Sequence, residues 1–220
     1  MNIFRFIGDL LHVLITLLLL WKLKKSKNCI GISCRMQEVY LIVFLTRYVD
    51  LFWSFVSIYN TCMKIILITT TAYLIYLMRF QAPTNQTYDR HADRFQYLYY
   101  LVIPSAILAV AWPSRYHLVD ILWTFSIWLE SGAILPQLVL LQQLREVENL
   151  TSHYVATMGL YRLFYVLNWI YRYKTEKFYH PVAWVAGAVQ VALYLDFFYY
   201  YIISRLQGSK LVLPVVNTGI

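Results

Sequence analysis

Ionisable side chains recur inside segments that are otherwise Leu, Ile, Val and Phe. The stretch LTRYVDLF (45–52) places Arg47 and Asp50 three residues apart. Arg5, Asp9 and His12 fall in the first apolar segment, Lys64 in the third, Asp120 and Glu130 in the fifth, Arg162 and Arg172 in the sixth, and Asp196 in the seventh. A charge in such a segment costs a few kcal/mol, so it either pairs with a neighbour to pin helix register or lines a functional path. Arg47 and Asp50, at i and i+3, can pair within one helix. The set as a whole points elsewhere. Arg5, Arg47 and Arg172 come from different segments and can converge on one cavity, where guanidiniums need anions and are suited to carboxylates. Tyr48, Trp123, Tyr165 and Trp169 share those segments, a combination that fits an acidic peptide or organic anion in a half-apolar pocket. His12, with Glu130 and Tyr161 in other segments, has the parts of a proton-operated latch, because histidine titrates between the pH values of secretory compartments.

The elements that must hold these groups follow from composition. Of the 220 residues, 60% are hydrophobic and 14% charged, and the mean hydropathy is +0.53. That leaves too little polar surface for a water-soluble domain of this size, and long apolar runs read as membrane helices. Seven spans are expected, roughly 3–22, 38–56, 59–79, 97–112, 118–141, 152–171 and 181–204, in one domain without a linker. Pro104 and Pro136 suggest kinks within them. MNIFRFIGDL lacks the basic region and cleavage site of a signal peptide, so the first segment reads as a retained helix.

The net charge of +8 gathers at segment ends rather than on one face, which argues against nucleic acid and for a positive-inside bias. Lys22, Lys24, Lys25, Lys27, Arg35, Arg79, Arg90, Arg94, Arg145, Arg205 and Lys210 fall on one side, against Arg5, Arg115, Arg172, Lys174 and Lys177 on the other. This puts the N-terminus lumenal and the tail, 205–220, in the cytosol. The sequons at Asn85 and Asn149 then face the cytosol and stay unmodified. Cys29, Cys34 and Cys62 read as free thiols, with no metal spacing. No hydrolase, metalloprotease, P-loop or dinucleotide motif is present, and neither catalysis nor a cofactor is expected. TRYVDLFWSFVSIYN and GLYRLFYVLNWIY both set Arg beside Tyr ahead of an aromatic run, an echo consistent with two parallel three-helix repeats joined by a linking helix.

NIFRFIGDLLH (2–12), FLTRYVDLF (44–52), SIYNTCMKI (57–65), LWTFSIWLESGAILPQL (122–138), MGLYRLFYVLNWIYRY (158–173) and LYLDFFYYY (193–201) resemble, in order and spacing, the KDEL receptor family of ER lumen protein-retaining receptors. The resemblance implies an all-α, seven-helix, SWEET-like fold. It also implies a receptor that binds the C-terminal Lys/His-Asp-Glu-Leu signal of soluble ER proteins in the acidic Golgi, returns them to the ER and releases them at neutral pH. On that basis Arg5, Arg47 and Arg172 handle the signal's carboxylates, with Tyr48 and Trp169 alongside. Asp50, Asp120, Trp123 and Ser54 meet its basic first residue, and Arg162, Tyr165 and Asn168 belong to the same binding stretch. His12, Glu130 and Tyr161 match the pH-sensing cluster. Asp196 matches a residue needed for return traffic, and the tail, with Arg205 and QGSK (Gln207, Gly208, Ser209, Lys210), would engage the COPI vesicle coat. Partners implied are the signal peptide, membrane lipid and that coat. Asp120 replaces a frequent Glu, His180 a common acid, and Leu11 the usual Ser, while the tail is poorer in lysine than its relatives'. A SWEET-like transporter of a small solute, or a paralogue for a different C-terminal signal, are the competing readings.

Overall fold

The computed structural model describes residues 2–52, 54–144 and 146–214; Arg145 and the end of the expected tail lie outside them. Among the described residues the regular structure is all-helical apart from one small strand pair. Its helices are α1 (Ile3–Ser26), α2 (Cys34–Arg47), α3 (Ile58–Arg79), α4 (Ile103–Ala111), α5 (Leu118–Gly132), α6 (Leu135–Leu144), α7 (Asn149–Glu176) and α8 (Pro181–Leu206). Among the described residues, four helical segments are long and apolar enough to cross a membrane: α1, α3, the combined α5–α6 stretch Leu118–Leu144, and α8. Leu98–Ala111 is a shorter apolar helix, and α7 is long but carries more polar residues along its length.

Both prolines act where the sequence anticipates. Pro136 cannot donate to the carbonyl of Gly132, and its ring crowds that carbonyl, so α5 and α6 separate around Ala133 and Ile134. Pro104 follows a wide π turn at Leu98–Val102 that absorbs the same missing donor. The second expected span differs from the structure. Its helix begins at Cys34, capped by the Ser33 side chain on Met36 N, and ends at Arg47 rather than near 56. Val49–Phe52 then forms a tight 3-10 turn. The i,i+3 geometry that would pair Arg47 with Asp50 on one helix face is therefore lost.

Six helices close a ring in the order α1, α3, α2, α5, α8, α7 and back to α1, with α4 packed outside α5. The buried core runs through Leu19, Leu23, Val39, Phe44, Leu74, Leu129, Tyr161 and Phe197. At the ring end away from the start of α1, polar bonds tie the connections together. Asp93 accepts from Ser33 Oγ (2.7 Å) and Tyr88 Oη (2.7 Å), and Lys22 bonds Glu148 at 2.6 Å. There Leu211–Val212 pairs antiparallel with Glu146–Val147, and Leu211 and Leu213 are buried. The segment after α8 thus folds back onto the body as far as these residues.

Candidate ligand-binding cavity

A cavity of about 630 Å³ opens at the end of the ring formed by the starts of α1, α3, α5 and α8 and the ends of α2 and α7. Helical spacing puts its lining groups on single faces. Arg5, Asp9 and His12 follow one face of α1; Asp120, Trp123, Ile127 and Glu130 one face of α5; Arg162, Tyr165, Trp169 and Arg172 one face of α7. Asn2 caps α1 by accepting from Arg5 N (3.0 Å) and donates to Asn168 Oδ1 (2.7 Å), which fixes the start of α1 against α7. Two glycines permit close approach. Gly8 lets the Tyr165 ring lie against α1, from where its hydroxyl donates to Asp9, and Gly187 leaves room for the Trp169 ring on α8.

The floor is a buried charge cluster. Glu130, 1% exposed, accepts from Arg47 Nη2 at 2.6 Å, lies 3.4 Å from Arg162 Nη1, and accepts from Tyr161 Oη at 3.1 Å. Arg47 also donates to Ser126 Oγ and to the Ser126 carbonyl, both at 3.1 Å. His12 stacks on Tyr161 with ring centroids 4.2 Å apart and 8° between planes, and Tyr40 Oη lies 3.3 Å from Tyr161 Oη. His12, Tyr161 and Glu130 are thereby one contiguous group drawn from three helices.

The walls carry charges of both signs. On the α2–α3 side, Lys64 donates to Asp50 at 2.7 Å and sits over the Tyr48 ring at 5.5 Å. Arg5 stands 4.0 Å from Asp9 and is half exposed. Arg172, at the mouth, pairs with Glu176 (2.7 Å) and lies 4.0 Å over Phe178. Asp120 forms no ion pair among the described residues, beside Trp123, whose ring packs edge-on against His180 at 4.8 Å. Burial holds the His180 imidazole below its usual pKa, opposed by the nearby Asp120 carboxylate. The lining therefore carries the cations Arg5, Arg47, Lys64, Arg162 and Arg172 against the anions Asp9, Asp50, Asp120 and Glu130. It is a polar, nearly charge-balanced cleft with aromatic walls, fitted to a ligand bearing both signs.

Of the residues expected from sequence, Arg5, His12, Arg47, Tyr48, Asp50, Asp120, Trp123, Glu130, Arg162, Tyr165, Asn168, Trp169 and Arg172 all line this one cavity. Tyr161 lies just beneath its floor, fully buried. Ser54 is exposed and outside the lining, its amide bonded to the Asp50 carbonyl at 2.8 Å. Asp196 is exposed midway along α8, far from the mouth in sequence register. Arg205 donates to Asn149 Oδ1 (2.9 Å) and Ser152 Oγ (3.3 Å), Gly208 takes a left-handed turn at φ 63°, and Lys210 directly precedes the Leu211–Val212 strand. Sequence reasoning did not single out Asp9, Tyr59 or His180 as lining groups. Asp9 had a signal in its i,i+4 relation to Arg5, whereas nothing in the sequence marks Tyr59, which lines the cavity and donates to Asp9 (3.2 Å).

The sequence pattern described as ER lumen protein retaining receptor matches residues 28–172. The chain belongs to that family. The receptor is 60% identical over 216 residues to an ER lumen protein-retaining receptor of Plasmodium falciparum, covering 97% of this chain and 98% of the relative. It is 50% identical to the Entamoeba histolytica protein of the same name (97% and 99% covered) and 47% identical to ER lumen protein-retaining receptor B of Arabidopsis thaliana (97% and 100%).

Proposed function

We propose that the receptor binds the C-terminal Lys/His-Asp-Glu-Leu signal of soluble ER proteins in its cavity, carries them from Golgi to ER, and releases them at neutral pH. The observation that carries this reading is the cavity's division of charge. Arginines run from mouth (Arg5, Arg172) to floor (Arg47, Arg162), while Asp50 and Asp120 stand at the rim. A short peptide with acidic side chains, a free terminal carboxylate and a basic first residue matches both signs. Arg47 is the seat of the terminal carboxylate: of the two floor guanidiniums it is the more open to the cavity, its side chain 16% exposed against 3% for Arg162, and guanidinium–carboxylate pairs are strong and directional. Asp120, with Trp123, meets the first residue. Asp50 serves there too once Lys64 yields.

His12 is the latch. Its ring is stacked on the tyrosine that bonds Glu130, so a proton on His12 places a third cation beside that carboxylate. Glu130 is then shared with His12, and Arg47 is freer to take the ligand's carboxylate. At neutral pH the imidazole is uncharged and Glu130 holds Arg47 again.

The packing order supports the SWEET-like pair of three-helix bundles. Counting α5–α6 as one rod, helices one to three pack in the order α1, α3, α2 and the last three in the order α5, α8, α7. The cross-contacts α1 with α7 and α2 with α5 exchange under the same swap, and α4 stands aside as the linker. Arg47 and Arg162, from the echoed segments, reach one carboxylate. With seven spans so arranged, the cavity faces the lumen and the Lys210 end, with its coat contact, faces the cytosol.

Peptide binding to purified receptor at Golgi-like and ER-like pH tests the reading. An HDEL-type peptide binds at the lower pH and weakens at the higher one, and amidating its C-terminus abolishes binding. Equal binding of free and amidated peptides overturns it, as does uptake of a small solute into vesicles together with indifference to the peptide.

A further inference from the structure

Beside the mouth, on the outer side of Trp184, three aromatic rings stand around a second recess. Tyr173 at the end of α7, Tyr179 in the α7–α8 connection and Trp184 on the first turn of α8 line about 390 Å³ of space. Their centroids form a nearly equilateral triangle: Tyr173–Tyr179 6.1 Å, Tyr173–Trp184 6.0 Å and Tyr179–Trp184 6.0 Å, with planes inclined at 66°, 76° and 42°. Tyr173 and Tyr179 are 50% and 58% exposed. A cation above the middle of this triangle lies within about 6 Å of all three centroids, the range in which ring quadrupoles attract positive charge. The same connection already uses such a contact, since Arg172 lies over Phe178.

The charges that neighbour these rings in the sequence decide what kind of cation fits. Lys174 and Lys177 are exposed and make no ion pair among the described residues, while Glu176 is tied to Arg172. A free cation would be repelled by the two lysines. A zwitterion whose cation enters the rings and whose anion stays outside satisfies both. A quaternary ammonium loses little hydration on entering an aromatic box, whereas a primary ammonium loses much. Tyr and Trp at the ends of apolar helices also sit at the depth of lipid headgroups.

We infer that Tyr173, Tyr179 and Trp184 form a site for the phosphocholine headgroup of a membrane lipid, with the trimethylammonium among the rings and the phosphate toward Lys174 and Lys177. The site adjoins the main cavity through Trp184, which lines both, but does not depend on what fills that cavity.

The test is lipid retention by the full-length protein, purified in detergent and offered equal amounts of phosphatidylcholine, phosphatidylethanolamine and phosphatidylglycerol with identical acyl chains, read by native mass spectrometry. Phosphatidylcholine is retained about 2–5-fold over phosphatidylethanolamine, the ratio expected of partly exposed cation–π contacts. The double variant Tyr173→Leu/Tyr179→Leu brings the two lipids to parity. Tyr173→Phe/Tyr179→Phe keeps the preference, which separates loss of the rings from loss of the fold. Lys174→Gln/Lys177→Gln weakens phosphatidylcholine and phosphatidylglycerol together. Parity in the parent protein overturns the inference, and so does a preference that survives loss of both tyrosine rings. Displacement of phosphatidylcholine by a peptide extended ahead of its C-terminal tetrapeptide, but not by the tetrapeptide alone, overturns it by assigning the recess to the polypeptide.

Discussion

Replacing Glu130 by Gln keeps the size of the side chain and its bond from Tyr161, and removes one negative charge from between two guanidiniums. The side chains of Glu130 and Arg162 are 1% and 3% exposed, while that of Arg47 is 16% exposed and borders the cavity. Breaking a buried ion pair by neutralising one partner costs about 3–5 kcal/mol, because the other charge stays desolvated and unpaired. Water in the cavity relieves Arg47, so Arg162 bears most of this cost. At about 2–4 °C per kcal/mol for a chain of this size, Glu130→Gln lowers the melting temperature by on the order of 10 °C. Tryptophan fluorescence of the detergent-solubilised protein on heating at neutral pH measures it. The second half of the prediction is recovery. Glu130→Gln/Arg162→Met removes the stranded charge along with its partner, and a buried pair replaced by neutral groups of similar shape is close to neutral in stability. The double variant should therefore melt above the single one. A single variant within about 2 °C of the parent (under 1 kcal/mol), or a double variant that melts lower still, would refute the claim that Glu130 holds Arg162 in the floor.

Three further outcomes follow from other parts of the structure. The native state keeps the His180 imidazole below its usual pKa, so on acidification through about pH 6.5 the unfolded chain takes up that proton first and stability falls. His180→Gln removes that share of the slope in melting temperature between pH 7 and 5, and an unchanged slope would show the group to be indifferent. Protonation also costs the native geometry, because His180 Nδ1 accepts from Ala183 N at the positive start of α8. Gly187→Ala puts a Cβ into the Trp169 ring, costs about 1–3 kcal/mol of overpacking and pushes Trp169 off the cavity wall; melting and peptide titration should both register it, and wild-type values in both would contradict the packing. The sequons Asn85-Gln86-Thr87 and Asn149-Leu150-Thr151 stay unglycosylated in a secretory-pathway host if their end of the ring faces the cytosol; a glycosidase-sensitive mobility shift would reverse the orientation.

Helix positions were legible from apolar periodicity and proline. The segments around α1, α3, α5–α6 and α8 match the expected spans closely, because long apolar runs leave the backbone no other way to satisfy its polar groups in a membrane. The early end of α2 was not legible. RYVDLF has no strong helix breaker, and the turn at Val49–Phe52 exists where Arg47 meets Glu130 and Asp50 meets Lys64, both partners on other helices. Ser54 sits beyond that turn and so falls outside the cavity.

By itself, the sequence determined that the chain is a bundle of apolar helices, and which faces of α1, α5 and α7 carry polar groups, since residue type and helical period are local properties. It could not assign partners to the charges. Sequence proximity made Arg47–Asp50 the natural pair, yet Arg47 bonds Glu130, Asp50 bonds Lys64, and Arg162 joins the first of these from the far side of the ring. The aromatic triangle of Tyr173, Tyr179 and Trp184 was equally hidden, because its rings come from two helices and the connection between them. Pairing among charges in a low-dielectric interior depends on distances of a few ångströms, and those are set only when the helices close into a ring.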